Sequence, residues 1–144
     1  MEFGESVNND VRVSAVKTQT TYTTAAYNLT MQDDGRMYLK NGATLLYTDL
    51  PAQDAAMWEE KLIAQSHAVQ KTEITCAAWK YIPSTYLLCE NDKAAPPQYQ
   101  QMFAAKAESR VVRCEAGHSP MLSQPEMLVE KIVEAVEGAV AGLE

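Results

Sequence analysis

Two short apolar runs that lack polar alternation constrain the fold of this chain most. Residues 85–89 read Thr-Tyr-Leu-Leu-Cys and residues 111–114 read Val-Val-Arg-Cys. Runs of this kind are typical of strands buried on both faces, as in a parallel sheet. Between them, apolar side chains recur at helical spacing over about residues 97–107. The order strand, helix, strand predicts a βαβ unit with parallel strands.

Each predicted strand is followed by a loop that carries a side chain with acid–base chemistry. Asp92 lies three residues beyond the first run, and His118 lies four residues beyond the second. In open α/β sheets, functional groups collect in the loops at the carboxyl ends of the strands. We therefore expect both side chains at one edge of the sheet. There the carboxylate would accept a hydrogen bond from imidazole Nδ1, leaving Nε2 to act as a general base.

Simpler interpretations of the same two residues remain open. An aspartate after a strand is commonly a turn residue or a helix cap, and a loop histidine is commonly solvated or packed. Gly117, directly before His118, favours a functional loop, because glycine permits a close approach of the backbone. The other histidine, His67, is interpreted as a surface or packing residue.

Residues 82–93 (IPSTYLLCENDK) and 115–123 (EAGHSPMLS) resemble two loops of the α/β-hydrolase superfamily. The branch they resemble is similar to plant methyl-ester hydrolases and hydroxynitrile lyases. The resemblance implies that Asp92 is the catalytic acid and His118 the catalytic base. Residues 49–51 (DLP), Trp58 and residues 65–66 (QS) resemble the lid segment of that branch. The implied activity is hydrolysis of a small apolar ester or a similar carbonyl compound, or a lyase reaction on the same residues.

The expected fold class is α/β, a truncated α/β-hydrolase fold whose C-terminal parallel βαβα unit follows a mainly helical lid segment. Residues 1–30 form a poorly defined polar segment, residues 31–83 the lid, and residues 84–144 the βαβα part. Helices are expected after Pro51, over about 72–80, and over about 126–140. Two sets of side chains are expected to pack: Ala55, Trp58, Leu62 and Ile63 in the lid, and Leu128, Ile132, Ala135 and Val136 in the last helix.

One part of the hydrolase pattern is missing from the sequence. The superfamily carries its nucleophile in a G-x-S-x-G turn, and no such pentapeptide occurs here. Residues 4–8 begin correctly but end in Asn8. The nucleophile would have to come from an upstream segment or a partner. The alternative is a non-catalytic relative that binds a small ligand or associates with an intact homologue. Exposed apolar strand edges would also favour self-association.

Composition excludes several other functions. The formal net charge of -7 argues against binding to nucleic acid or to an anionic membrane surface. No glycine-rich phosphate loop and no metal-ligand spacing occurs, so no cofactor or metal is expected. Cys76, Cys89 and Cys114 are interpreted as buried thiols in a reducing compartment. Because the N-terminus lacks the pattern of a secretory signal, we expect a cytoplasmic protein.

Overall fold

The computed structural model describes residues 29–70 and 72–141. Residues 1–28, which hold most of the predicted polar N-terminal segment and the sequence Gly4 to Asn8, lie outside the described residues. The chain divides into two compact units. Within the described part, residues 29–41 and 60–74 belong to the first unit, and residues 42–59 and 75–141 belong to the second. Every residue of the predicted site belongs to the second unit.

The first unit contains a small antiparallel sheet that the sequence patterns did not predict. Its strands are β1 (Leu29–Met31), β2 (Arg36–Leu39) and β3 (Gln65–Ser66), with β2 in the middle. A turn at Gly35, where a φ of 80° suits glycine, closes the β1–β2 hairpin. A 3-10 turn, His67–Gln70, follows β3. The segment predicted to form the lid therefore contains strands as well as helices.

The second unit contains the predicted strand, helix and strand. The two strands are β4 (Thr85–Cys89) and β5 (Arg110–Cys114), and the helix between them is α3 (Pro97–Lys106). The other helices, which are listed here in chain order, are α1 (Gly42–Leu45), α2 (Ala52–Glu60), α4 (Pro120–Ser123) and α5 (Pro125–Ala141). Pro97 begins α3 where its missing N–H is not needed.

Strands β4 and β5 are parallel, as the sequence predicts, and pair in register from Thr85↔Arg110 to Cys89↔Cys114. The core of this unit lies around the carboxyl end of β4. Leu88 and Ala104 are completely buried, and Cys89 is 7% exposed. Because α3 packs on β4, its buried side facing the strand includes Ala104 and one polar residue, Gln100.

Several expectations about helices and packing are wrong. The helix predicted over residues 72–80 does not form, and the structure shows only a 3-10 turn at Ala78–Lys80 in that range. Helix α2 ends at Glu60, so Leu62 and Ile63 lie beyond it, and Ile63 is 86% exposed. The helical spacing of the apolar residues predicts which side chains share a face, but it does not predict the residue at which the helix ends.

The last helix is confirmed, but its predicted packing face is only partly covered. Leu128 and Ala135 are half-buried, whereas Ile132 and Val136 are 55% and 57% exposed. An exposed stripe of apolar residues at helical spacing therefore runs along α5: Val129, Ile132, Val133, Val136 and Val140. Spacing predicts which side chains share a face, but it does not say what covers that face.

The cysteine prediction also needs correction, because Cys76 is exposed while Cys89 is buried and Cys114 is intermediate. All three are free of disulfide bonds, and the Cys114 thiol lies 3.7 Å from the sulfur of Cys89. Among the helices of the described residues, none is both long enough and apolar enough to cross a bilayer.

Candidate active site

Asp92 sits in the turn that follows β4, and its carboxylate organises that turn. The backbone N–H groups of Ala94 and Ala95 both donate to Asp92 Oδ1 at 2.8 Å. The simpler interpretation of Asp92 as a turn and capping residue is therefore correct in part. The side chain is only 6% exposed, so the carboxylate is held in one place by buried hydrogen bonds.

The loop after β4 that carries Asp92 (the acid loop) and the loop after β5 that carries His118 (the histidine loop) are joined to each other by backbone hydrogen bonds. Glu90 N–H donates to Cys114 O at 2.9 Å, and Asn91 N–H donates to Ala116 O at 3.1 Å. The side-chain amide of Asn91 adds a bond to Glu115 O at 2.5 Å. These bonds continue the parallel pairing beyond the last strand residues, and they bring the segment before His118 alongside the segment before Asp92.

The two predicted site residues meet at this edge of the sheet. His118 Nδ1 lies 3.0 Å from Asp92 Oδ2 and 3.1 Å from Asp92 Oδ1. A carboxylate only accepts at these distances, so the geometry assigns the ring proton to Nδ1. The His118 side chain is 40% exposed, in contrast to its buried acid partner. An imidazole held in this way can exchange a proton at Nε2 with a reacting molecule.

Gln100 is a site residue that sequence reasoning missed. Its side-chain amide accepts from Cys89 N–H and donates to Cys89 O, both at 2.9 Å. It also donates to Ala95 O at 2.6 Å and lies 3.5 Å from Asp92 Oδ2. The amide therefore pairs with the last residue of β4 as a neighbouring strand would, and it supports the acid loop. A glutamine inside a helix gave no sequence signal, because such residues are commonly solvated.

Burial and the Asp92 charge both affect the ionisable groups beside the site. Burial, followed by the negative charge of Asp92, raises the pKa of the Tyr86 hydroxyl. Burial, followed by the neighbouring Cys114 thiol, raises the pKa of Cys89 to about 12. Both groups therefore stay protonated and neutral at physiological pH. Asp92 and His118 are accordingly the groups of this edge that we consider for acid–base chemistry.

Gly117 makes the close backbone approach that the sequence predicts, and the partner is a second carboxylate. An ideal Cβ at Gly117 would lie 2.7 Å from Asp49 Oδ1 and 2.9 Å from Asp49 Cγ. No side chain larger than hydrogen fits there without a shift of Asp49. Asp49 belongs to the segment that the resemblance assigns to the lid.

No metal-binding site is found in the part of the chain that the structure describes. No group of three or more His, Cys, Asp or Glu side chains is placed there to hold a metal ion. His67, which the sequence analysis set aside, lies in the first unit.

The amino-acid sequence of the chain matches a model of one protein family. A model described as "Alpha/beta hydrolase family" matches residues 11–131, which is most of the chain. The chain belongs to the alpha/beta hydrolase family. The predicted membership of the α/β-hydrolase superfamily is thereby confirmed, and the parallel β4–β5 pair is part of an α/β-hydrolase fold.

Two curated fungal proteins are similar in sequence to this alpha/beta hydrolase. "Alpha/beta hydrolase nvfD" of Aspergillus novofumigatus (strain IBT 16806) is 40% identical over 88 residues, covering 59% of this chain and 35% of that protein. "Probable hydrolase R7" of Phoma sp. (strain ATCC 20986 / MF5453) is 38% identical over 66 residues, covering 42% of this chain and 27% of that protein. The matched parts of the chain thus span about a third of the first relative and about a quarter of the second.

Solved structures show the same fold. The crystal structure of polyneuridine aldehyde esterase matches with a TM-score of 0.64 at 16% identity, over 84% of this chain and 55% of that chain. A mutant of the same esterase matches with a TM-score of 0.59 at 17% identity, over 76% of this chain and 47% of that one. This likeness concerns the arrangement of helices and strands.

Proposed function

We propose that this alpha/beta hydrolase segment supplies the acid–base half of a site that hydrolyses an ester or a similar small carbonyl compound. The observation that carries the proposal is the contact of 3.0 Å between His118 Nδ1 and the buried carboxylate of Asp92. In the proposed reaction, Nε2 of His118 removes the proton from the attacking hydroxyl group. Asp92 keeps the imidazole in the right tautomer and stabilises the imidazolium that forms.

The attacking group is the part of the reaction that these 144 residues do not supply in the usual form. They contain no G-x-S-x-G pentapeptide. We propose that the hydroxyl comes from a serine outside this sequence, either upstream or on a partner chain. Water is the remaining nucleophile in its absence. His118 can activate water in the same manner, because the proton again passes to Nε2.

The same missing pentapeptide favours a second candidate function, that of a non-catalytic relative. In this role the Asp92–His118 pair would recognise a small polar group on an apolar ligand rather than turn it over. The pair would then act as a hydrogen-bonding element on a fold whose chemistry has been lost. The two candidates differ in whether His118 changes a reaction rate.

Turnover of a chromogenic short-chain ester separates the two functions. The full-length protein, with any segment that its transcript encodes upstream of these 144 residues, is compared with His118→Ala, Asp92→Asn and, as a matched control, His67→Ala. We expect the wild type and the control to hydrolyse the ester at equal rates. His118→Ala should lose this activity, and Asp92→Asn should lower it roughly tenfold or more, because general acid–base catalysis contributes about 10²–10⁴-fold. Equal rates for wild type and His118→Ala would refute hydrolysis by this chain and leave the second candidate.

A second observation bears on the nucleophile. The full transcript, sequenced upstream of this segment, should encode a strand followed by G-x-S-x-G if the missing serine is supplied in the same chain. If the reading frame there lacks this pentapeptide, the serine must come from a partner or the water mechanism must apply.

A further inference from the structure

Asp49 binds both sides of the segment that carries His118. Its Oδ2 accepts a hydrogen bond from Gly117 N–H at 2.6 Å and another from the Ser123 hydroxyl at 2.6 Å. Gly117 directly precedes His118, and Ser123 is the last residue of α4, which begins two residues after it. Because the acceptor is a carboxylate, both bonds are of the strong, charge-assisted kind.

The imidazole depends on such backbone anchors, because packing around the ring is incomplete. The His118 side chain is 40% exposed, whereas Ala116 is completely buried and Ser119 is 6% exposed. On one side the bonds from Asn91 hold the segment to the acid loop. On the other side the Asp49 carboxylate holds the segment through Gly117 and Ser123.

The Asp49 carboxylate also has an unusual environment for a group that serves only stability. Its Oδ1 is buried and has no hydrogen-bond partner among the described residues. This oxygen is the atom that an ideal Cβ of Gly117 would approach to 2.7 Å. Burying an unsatisfied carboxylate oxygen is unfavourable. The chain thus keeps a carboxylate pressed against the histidine loop despite an electrostatic cost.

We propose that Asp49 is a positioning residue for His118. Asp92 fixes the ring through Nδ1, and Asp49 fixes the backbone that carries the ring. Without Asp49, the histidine loop would move relative to Asp92, and the imidazole would lose its preferred tautomer. The inference rests on the proposed function, since positioning matters only if His118 acts as the base.

The test uses the full chain with ¹⁵N-labelled histidine and backbone amides. We compare wild type with Asp49→Ala, Asp49→Asn and Ser123→Ala. Two quantities are measured by NMR: the hydrogen-exchange rate of the Gly117 amide and the fraction of His118 that carries its proton on Nδ1. His67 is an internal control, because it lies in the other unit. Circular dichroism verifies that each variant is folded.

We expect Asp49→Ala to raise the exchange rate of the Gly117 amide roughly tenfold or more, because its hydrogen bond to a charged acceptor is lost. The Nδ1-protonated fraction of His118 should fall at least about twofold, with the His67 signals unchanged. Asp49→Asn retains an oxygen acceptor and should restore most of both properties. Ser123→Ala removes one of the two bonds and should have a smaller effect. If Asp49→Ala does not fold, Ser123→Ala carries the test, because it removes one bond to Asp49 and should still raise the exchange rate of the Gly117 amide.

An Asp49→Ala chain that folds and keeps the wild-type tautomer of His118 would overturn the inference. So would a folded Ser123→Ala chain in which both the exchange rate of the Gly117 amide and the tautomer of His118 keep their wild-type values. An Asp92→Asn arm separates this failure from failure of the proposed function. If Asp92→Asn changes the His118 tautomer and Asp49→Ala does not, only the role of Asp49 is lost. If neither does, the Asp92–His118 pair itself is refuted.

Discussion

Replacement of Gln100 by leucine tests how the end of β4 is held. The side-chain amide of Gln100 pairs with both the N–H and the C=O of Cys89, each at 2.9 Å. Gln100 is 3% exposed and Cys89 is 7% exposed, so water cannot readily replace the lost bonds. Each buried polar group left unpaired costs roughly 1–3 kcal/mol. Gln100→Leu leaves Cys89 N–H without this partner, while Cys89 O keeps a longer bond of 3.4 Å from Asp92 N–H, so the free energy of unfolding should fall by about 1–3 kcal/mol.

Urea denaturation at 25 °C, followed by far-UV circular dichroism, measures this free energy. Gln101→Leu is the matched control, because Gln101 is the next residue of the same helix and is exposed. It should change stability by less than about 0.5 kcal/mol. Equal effects of the two substitutions would refute the view that Gln100 replaces a neighbouring strand at Cys89.

Three further outcomes follow from the structure. Gly117→Ala should lower the free energy of unfolding by roughly 1–3 kcal/mol, because its Cβ would overlap Asp49. In the double variant, Asp49→Ala should relieve part of this loss, whereas additive losses would argue against the overlap. The pKa of Cys89 is raised to about 12, so Cys89 stays a thiol at pH 9. Iodoacetamide should therefore alkylate the exposed Cys76 well before Cys89 in the folded chain, as measured by mass spectrometry. Equal labelling of the two would contradict the burial of Cys89. We expect two copies of this chain to associate through the exposed apolar stripe of α5. Size-exclusion chromatography at micromolar concentration should then give an apparent mass above the 15.9 kDa of the monomer, and Val136→Glu should restore the mass of the monomer. A monomeric wild type would refute this prediction.

The sequence predicted the part of the fold that depends on local patterns. The apolar runs at β4 and β5, the helix between them and the polar loops after them are all short-range signals. Their parallel order places two strand ends at one edge. The parallel order of the two strands therefore predicts the contact between Asp92 and His118.

The supporting residues could not be predicted in the same way, because their contacts are long-range. Asp49 and Gly117 are 68 residues apart in the sequence, and no periodicity links them. Gln100 looks like any helix-surface glutamine until α3 is packed on β4. Strands β1 to β3 have three, four and two residues, too few to give a clear alternation.

The state of the His118 ring tests the central claim most directly, because it needs neither substrate nor nucleophile. The measurement is the ¹H NMR signal of the proton bound to Nδ1, identified by its coupling to ¹⁵N in the wild type and in Asp92→Asn. We expect a resolved signal, protected from exchange with water, that disappears in the variant. The neutral amide of the variant can turn its NH2 group toward Nδ1, which favours the tautomer with the ring proton on Nε2. A ring that carries its proton on Nε2 in the wild type, or that is unaffected by Asp92→Asn, would contradict the account.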